Sequence, residues 1–200
     1  MIEYVLMLDV DGVLVTAGPN GGSWSDQLEA DLGIPKRDLL DAFFHKYWAE
    51  IIIGKAEMMP MLEAALDEIG TEVSATALRD YWFAQDATLN TDMLREVAEI
   101  RAAGVPVWLA TNQEHLRAAY LLDDLGLGDM VDGAIWSAAV GAKKPDPAFF
   151  AAVEARVGKP QATFVFVDDR LPNVEAARAC GWVAHHWTGD QSLRAVFDAV

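Results

Sequence analysis

Tyr4-Val5-Leu6-Met7-Leu8-Asp9-Val10-Asp11-Gly12-Val13 decides how this chain is to be read. An apolar run of β-forming residues ends in two carboxylates and a glycine. Side chains alternate along a strand, so Asp9 and Asp11 can face the same way. Gly12 lets the chain turn sharply just past them. Two carboxylates this close repel unless a divalent cation lies between them or one keeps a proton. The pair therefore suggests a Mg²⁺ site, an acid/base pair, or both. A solvated Asp-Gly turn is the plainer alternative.

Three further segments stand out: two strand patterns that end in polar residues, and between them a lysine motif. Val105-Pro106-Val107-Trp108-Leu109-Ala110 runs into Thr111-Asn112. Gly141-Ala142-Lys143-Lys144-Pro145-Asp146-Pro147 places two lysines before a proline. Phe164-Val165-Phe166-Val167 runs into Asp168-Asp169, with Asn173 four residues after Asp169. These four segments, in this order, resemble the motifs of the haloacid dehalogenase superfamily, most of whose members are aspartate-dependent phosphohydrolases. The resemblance covers residues 1–16 and about 88–187.

The rest of the pattern bears on the fold. Strand patterns at Tyr4–Leu8, Val105–Ala110, Gly133–Trp136, Thr163–Val167 and Trp182–His186 alternate with helical ones. Helices are expected over Asp92–Ala103 after the caps Asn90 and Thr91, over His115–Leu125, Pro147–Val157 and Pro172–Cys180. This alternation predicts an α/β fold with a parallel sheet covered on both faces. The resemblance makes that core Rossmann-like. In such sheets ligands bind at the carboxyl ends of strands, where Asp9, Thr111, Asp168 and Asp169 fall. Residues 17–87 break the alternation with helical patterns alone, near Trp24–Asp31, Lys36–Ile51, Glu57–Ile69 and Ser74–Phe83. They read as a helical cap inserted after the first strand, as in one branch of that family (subfamily IA-like). The core is then 1–16 and 88–200, with hinges expected at Gly18–Gly22 and Asp86–Asn90.

Composition sets bounds. Two hundred residues with 52% hydrophobic content suit one domain with a subdomain and exclude disorder. A net charge of −16, from 15 basic and 31 acidic residues, disfavours nucleic acid and anionic membranes as partners. No apolar run reaches membrane-spanning length, and no signal peptide is evident, so the expected location is cytoplasmic. The single Cys180 agrees with a reducing compartment and reads as structural.

The resemblance implies roles for individual residues. Asp9 is the expected nucleophile, attacking phosphorus to form an acyl phosphate. Asp11 is the expected acid and base, and its presence favours phosphoryl chemistry over dehalogenation. Mg²⁺ is the expected cofactor, held by Asp9, the backbone carbonyl of Asp11, and Asp169. Asp168 is either a further ligand or a support. Thr111 and Asn112 are expected to hold phosphate oxygens, although an ordinary helix start would also explain them. Lys144 is preferred over Lys143 as the lysine that touches the phosphoryl group. Trp24 and Lys55 are candidates for substrate contact from the cap. The four histidines and seven tryptophans form no cluster with metal or stacking character.

The reading is thus a Mg²⁺-dependent phosphatase acting on a small phosphorylated metabolite. Its rivals are a phosphomutase, a phosphonate hydrolase using Lys55 as a Schiff base, and a binding protein without catalysis.

Overall fold

The computed structural model describes residues 3–16, 22–159 and 162–198. Five parallel strands form the main sheet: β1 (Tyr4–Leu8), β4 (Val107–Thr111), β5 (Gly133–Trp136), β6 (Thr163–Asp168) and β7 (Val183–His186). Their order is β5-β4-β1-β6-β7. The first strand in the chain is therefore central, flanked by β4 and β6. This order brings the carboxyl ends of the three motif-bearing strands side by side.

Alternation along β1 splits the core in two. Leu6 and Leu8 pack on one face with Leu109, Val165 and Val167, under Met93, Val97 and Ile100 of the helix Thr91–Ala102. Val5 and Met7 pack on the other with Phe164 and Phe166, against Phe149, Phe150 and Val153 of the helix Pro147–Val157. Each face of the sheet is thus sealed by helices. That is why the strands read as nearly continuous apolar runs.

A second core lies between β2 (Val15–Thr16) and β3 (Thr88–Leu89) in the chain. It is built from Leu28, Phe43, Ile51, Leu62, Leu66, Leu78 and Trp82 among others. The segments Lys36–Leu39, Leu40–Phe44 and His45–Ile51 run end to end, with a π-helical turn in the middle. Met58–Ile69 and Ala75–Gln85 complete the helical unit. The segment Asp86–Asn90, where a hinge is expected, is not a loose loop. Val15 and Thr16 pair antiparallel with Leu89 and Thr88, two residues a side. Asn90 then caps the helix Thr91–Ala102 at Met93 N–H and also donates to the carbonyl of Val13. Of the other expected hinge, Gly18 to Gly21 lie outside the described residues.

No helix among the described residues is long and apolar enough to cross a membrane. Cys180 sits at the end of the helix Leu171–Ala179, half-buried, and burial pushes its thiol up.

Candidate active site

Asp9 follows β1 directly and is buried. Its N–H donates to Val167 of the neighbouring strand, and one carboxylate oxygen accepts from Val10 N–H at 2.8 Å. The chain then turns tightly through Asp11 and Gly12, with Gly12, Val13, Leu14 and Val15 bonded back across the turn. Gly12 has a positive φ of 79°, and a side chain there would collide with the carboxylate of Asp169. Two carboxyl-bearing loops approach each other only because this residue has no Cβ.

Lys144 is the hub. Its buried Nζ lies 2.9 Å from Asp9 and donates to Asp168 at 2.6 Å, over the ring of Phe166. One positive charge cannot neutralise two buried carboxylates. Asp168 holds the stronger claim, because it also accepts from Arg170 N–H and from Asn173 through both oxygens. Burial raises the Asp168 carboxyl, but Lys144 and these donors outweigh it and hold the group below its usual range. Asp9 is left with the deficit: burial, opposed by Lys144, pushes it up to about 7.

Thr111 ends β4, and its buried hydroxyl has no hydrogen-bond partner. An orphaned hydroxyl in a cleft is costly unless a ligand satisfies it. Asn112 spends its side chain on the lysine loop, donating to the Lys144 carbonyl and accepting from Lys144 N–H. It fixes the register of Lys144, and Lys143 lies exposed beside it. Lys144 is thus the lysine buried against Asp9 and Asp168, while Lys143 lines the cleft.

Asp11 opens to the cleft, yet protein surrounds it closely. Burial raises its carboxyl, the charge of Asp86 adds to this, and Arg117 opposes it. Gln113 donates to Asp11 at 2.6 Å and so aims its carboxylate. Asp169 faces the cleft, raised by burial and by Asp168. The carbonyl of Asp169 is held by His186 at 2.9 Å.

The donor set fits a hard divalent cation. Asp9, Asp168 and Asp169 each offer an oxygen, and these lie within 4.8 Å of one another. Asp9, Asp168 and Asp169 share one buried cation, Lys144. Asp168 is already committed to Lys144, Asn173 and Arg170. Asp9 and Asp169 are therefore the better ligands, with Asp168 holding the loop.

The cleft encloses about 450 Å³ and has a second wall from the helical unit: Trp48, Ile52, Trp82 and Asp86. Trp24 and Lys55 do not line it. Trp24 stacks behind Trp82 at 5.0 Å, and Lys55 is exposed. Sequence reasoning missed four residues here. Gln113 stands two after Thr111, the spacing that keeps a side chain on the same side of an extended segment. Buried Arg117 donates to the carbonyls of Phe83 and Asp86, stacks on Phe83 and Tyr120, and lies 3.7 Å from the Asp86 carboxylate. Its place on the buried stripe with Ala118 and Leu121 was a usable signal. Ser137 sits 2.6 Å from the Ile52 carbonyl and 3.1 Å from that of Gln113. Asp86 was noted only as part of a hinge.

Comparison with known proteins agrees with this geometry. The family model described as haloacid dehalogenase-like hydrolase matches residues 5–181. A phosphoglycolate phosphatase of Pseudomonas syringae pv. tomato is 29% identical over 186 residues, spanning 90% of this chain and 67% of that protein. A sesquiterpene phosphatase of Aspergillus oryzae is 29% identical over 185 residues, spanning 91% and 88%. A haloacid dehalogenase family enzyme of Bacteroides thetaiotaomicron matches the fold with a TM-score of 0.83 at 16% identity, over 98% of this chain and 99% of that one. The structure of that enzyme with magnesium and inorganic phosphate matches at 0.78 and 17% identity, with the same coverage. An aspartate-bearing central strand, a buried lysine and an acidic loop in one cleft, together with a family match over most of the length, have one reading: this chain belongs to the haloacid dehalogenase-like hydrolases.

Proposed function

We propose that this chain is a Mg²⁺-dependent phosphatase that hydrolyses a small phosphomonoester through a phospho-aspartyl intermediate on Asp9. The carrying observation is the convergence of Asp9, Asp11, Thr111, Lys144 and the Asp168-Asp169 pair at adjacent strand ends. The phosphatase names of the relatives support it.

Asp9 attacks phosphorus, and an aspartyl oxygen–phosphorus bond forms as the ester bond to the alcohol breaks. Asp11 gives its proton to the departing alcohol oxygen. Burial raises its carboxyl, which favours the protonated form that role needs. Asp11 then takes a proton from water, which attacks phosphorus and releases Asp9 and inorganic phosphate. Thr111 and the backbone N–H groups after it hold phosphoryl oxygens, and Lys144 supplies charge beside Asp9. Mg²⁺ bound by Asp9, Asp169 and the Asp11 carbonyl would offset repulsion between carboxylate and phosphate. Residues 17–87 act as the cap that closes over the core of 1–16 and 88–200 and excludes bulk water.

The test is turnover of para-nitrophenyl phosphate by the purified protein. Activity should need Mg²⁺, vanish in excess chelator, and fall by orders of magnitude in Asp9→Asn with the fold intact. Full activity in chelator, or near-normal turnover by Asp9→Asn, would sink the proposal.

A further inference from the structure

The cleft has two unlike ends. The core end carries Asp9, Asp11, Asp169 and the orphaned Thr111 hydroxyl, with Lys144 buried behind Asp9. The helical end presents two indoles and an isoleucine. Trp48 and Trp82 stand 5.5 Å apart at 53°, and Phe44 touches both at 5.3 and 5.4 Å. Trp24 stacks on Trp82 from behind. These rings brace one another, so the wall is built before any ligand arrives. Trp48 is only half-buried although aromatic rings surround it. An indole left open beside a cleft gains most from an apolar group laid over it.

The charges at this end point the same way. Arg117 also lines the cleft, but its guanidinium donates to the carbonyls of Phe83 and Asp86, lies 3.7 Å from the Asp86 carboxylate and packs on two rings. Asp86 adds an acid beside the indoles. Lys143 and Arg170, the exposed cations, stand on the loops of Lys144 and Asp169, at the phosphoryl end. An anionic tail reaching the wall would meet the like charge of Asp86. Size agrees as well. At about 30 Å³ per water-sized group, the cleft has room for about fifteen. A phosphorylated two-carbon acid would fill little more than half.

We infer that the leaving alcohol of the preferred substrate is apolar, an aliphatic or aromatic alcohol that lies against Trp48, Trp82 and Ile52, and that esters bearing a carboxylate are disfavoured. This rests on the phosphatase reading above and names its substrate class.

The experiment compares ethyl phosphate, octyl phosphate and 2-phosphoglycolate as substrates with Mg²⁺. All three release a primary alcohol, so the tail is the main variable. Each buried methylene is worth up to about fourfold, and we expect kcat/KM for octyl phosphate to exceed that for ethyl phosphate by at least tenfold. The 2-phosphoglycolate value should fall at or below that of ethyl phosphate. Trp48→Ala should collapse the octyl-to-ethyl ratio below about threefold. Trp48→Leu, which keeps apolar bulk, should restore much of it and guards against misfolding. Equal turnover of all three esters would overturn the substrate class and leave the phosphatase reading standing. So would a preference for 2-phosphoglycolate that is lost in Lys143→Ala or Arg170→Ala. No turnover of any ester would overturn both readings.

Discussion

Mg²⁺ should stabilise this protein, and the gain should grow with pH. Asp9 is the reason. Burial, opposed by Lys144, raises its carboxyl to about 7 when no metal is bound. In the unfolded chain the same group ionises near 3.9. Between those values the folded state holds a proton that the unfolded state has released. The metal-free protein then loses stability as pH rises, by about 1.4 kcal/mol per pH unit, and the loss levels off above about 7. A divalent cation binds the ionised carboxylate, so below that point Mg²⁺ must displace the proton. Its apparent affinity should weaken about tenfold per pH unit, which linkage converts to about 1.4 kcal/mol. For a chain of this size that is a Tm change of roughly 3–6 °C per unit. Scanning calorimetry from about pH 5.5 to about pH 8, with chelator or with excess Mg²⁺, measures it. The Tm gain from metal should climb through the acidic half of the range and flatten above about pH 7. In Asp9→Asn that climb should disappear. A gain that is flat or shrinking with pH, or unchanged in Asp9→Asn, would refute the reasoning.

Other substitutions probe the supports of the site. Asn173→Leu removes the side-chain amide that donates to both oxygens of Asp168. Hydrogen bonds to charged groups are worth about 1.5–3 kcal/mol, so urea unfolding should shift by that much while the circular dichroism spectrum is kept. Gly54 has a φ of 72°, and a Cβ there would overlap the Ala138 carbonyl. Gly54→Ala should therefore lift the helical unit off the short helix Ser137–Val140 and cut kcat/KM by about tenfold or more. Asp169→Ala should raise the Mg²⁺ concentration needed for half-maximal activity by about ten- to a hundredfold, read from metal titrations.

The core was legible because its signals are local. β1, β5 and the helix Pro147–Val157 fall on their expected residues, since each is a strongly patterned run with a clear boundary: a carboxylate turn, the following Ser137, and Asp146-Pro147. The strand after Pro106 begins later than expected, at Val107, where Asp132 accepts its N–H. The β2–β3 ribbon escaped notice because two residues a side show no period. The helical unit was legible as helices but not as a surface. Helical spacing says that Trp48 and Trp82 are apolar positions; it does not say that both line a cleft while Trp24 stacks behind Trp82. That choice is made by packing between segments far apart in the chain. Arg117 was missed for a related reason. A lone arginine in a helix reads as solvated, and only the fold supplies the carbonyls of Phe83 and Asp86 that make its burial tolerable.

Trapping of the phosphoryl enzyme tests the central claim most directly. Asp11→Asn should still accept a phosphoryl group from an ester with a good leaving group, but it should release that group slowly. Acid quench followed by borohydride would convert an aspartyl phosphate into homoserine at the modified position. Peptide mass analysis should then find homoserine at residue 9, in proportion to the enzyme, and find none in Asp9→Asn. Continued turnover with an unmodified Asp9 peptide, or with the label on another residue, would contradict the account.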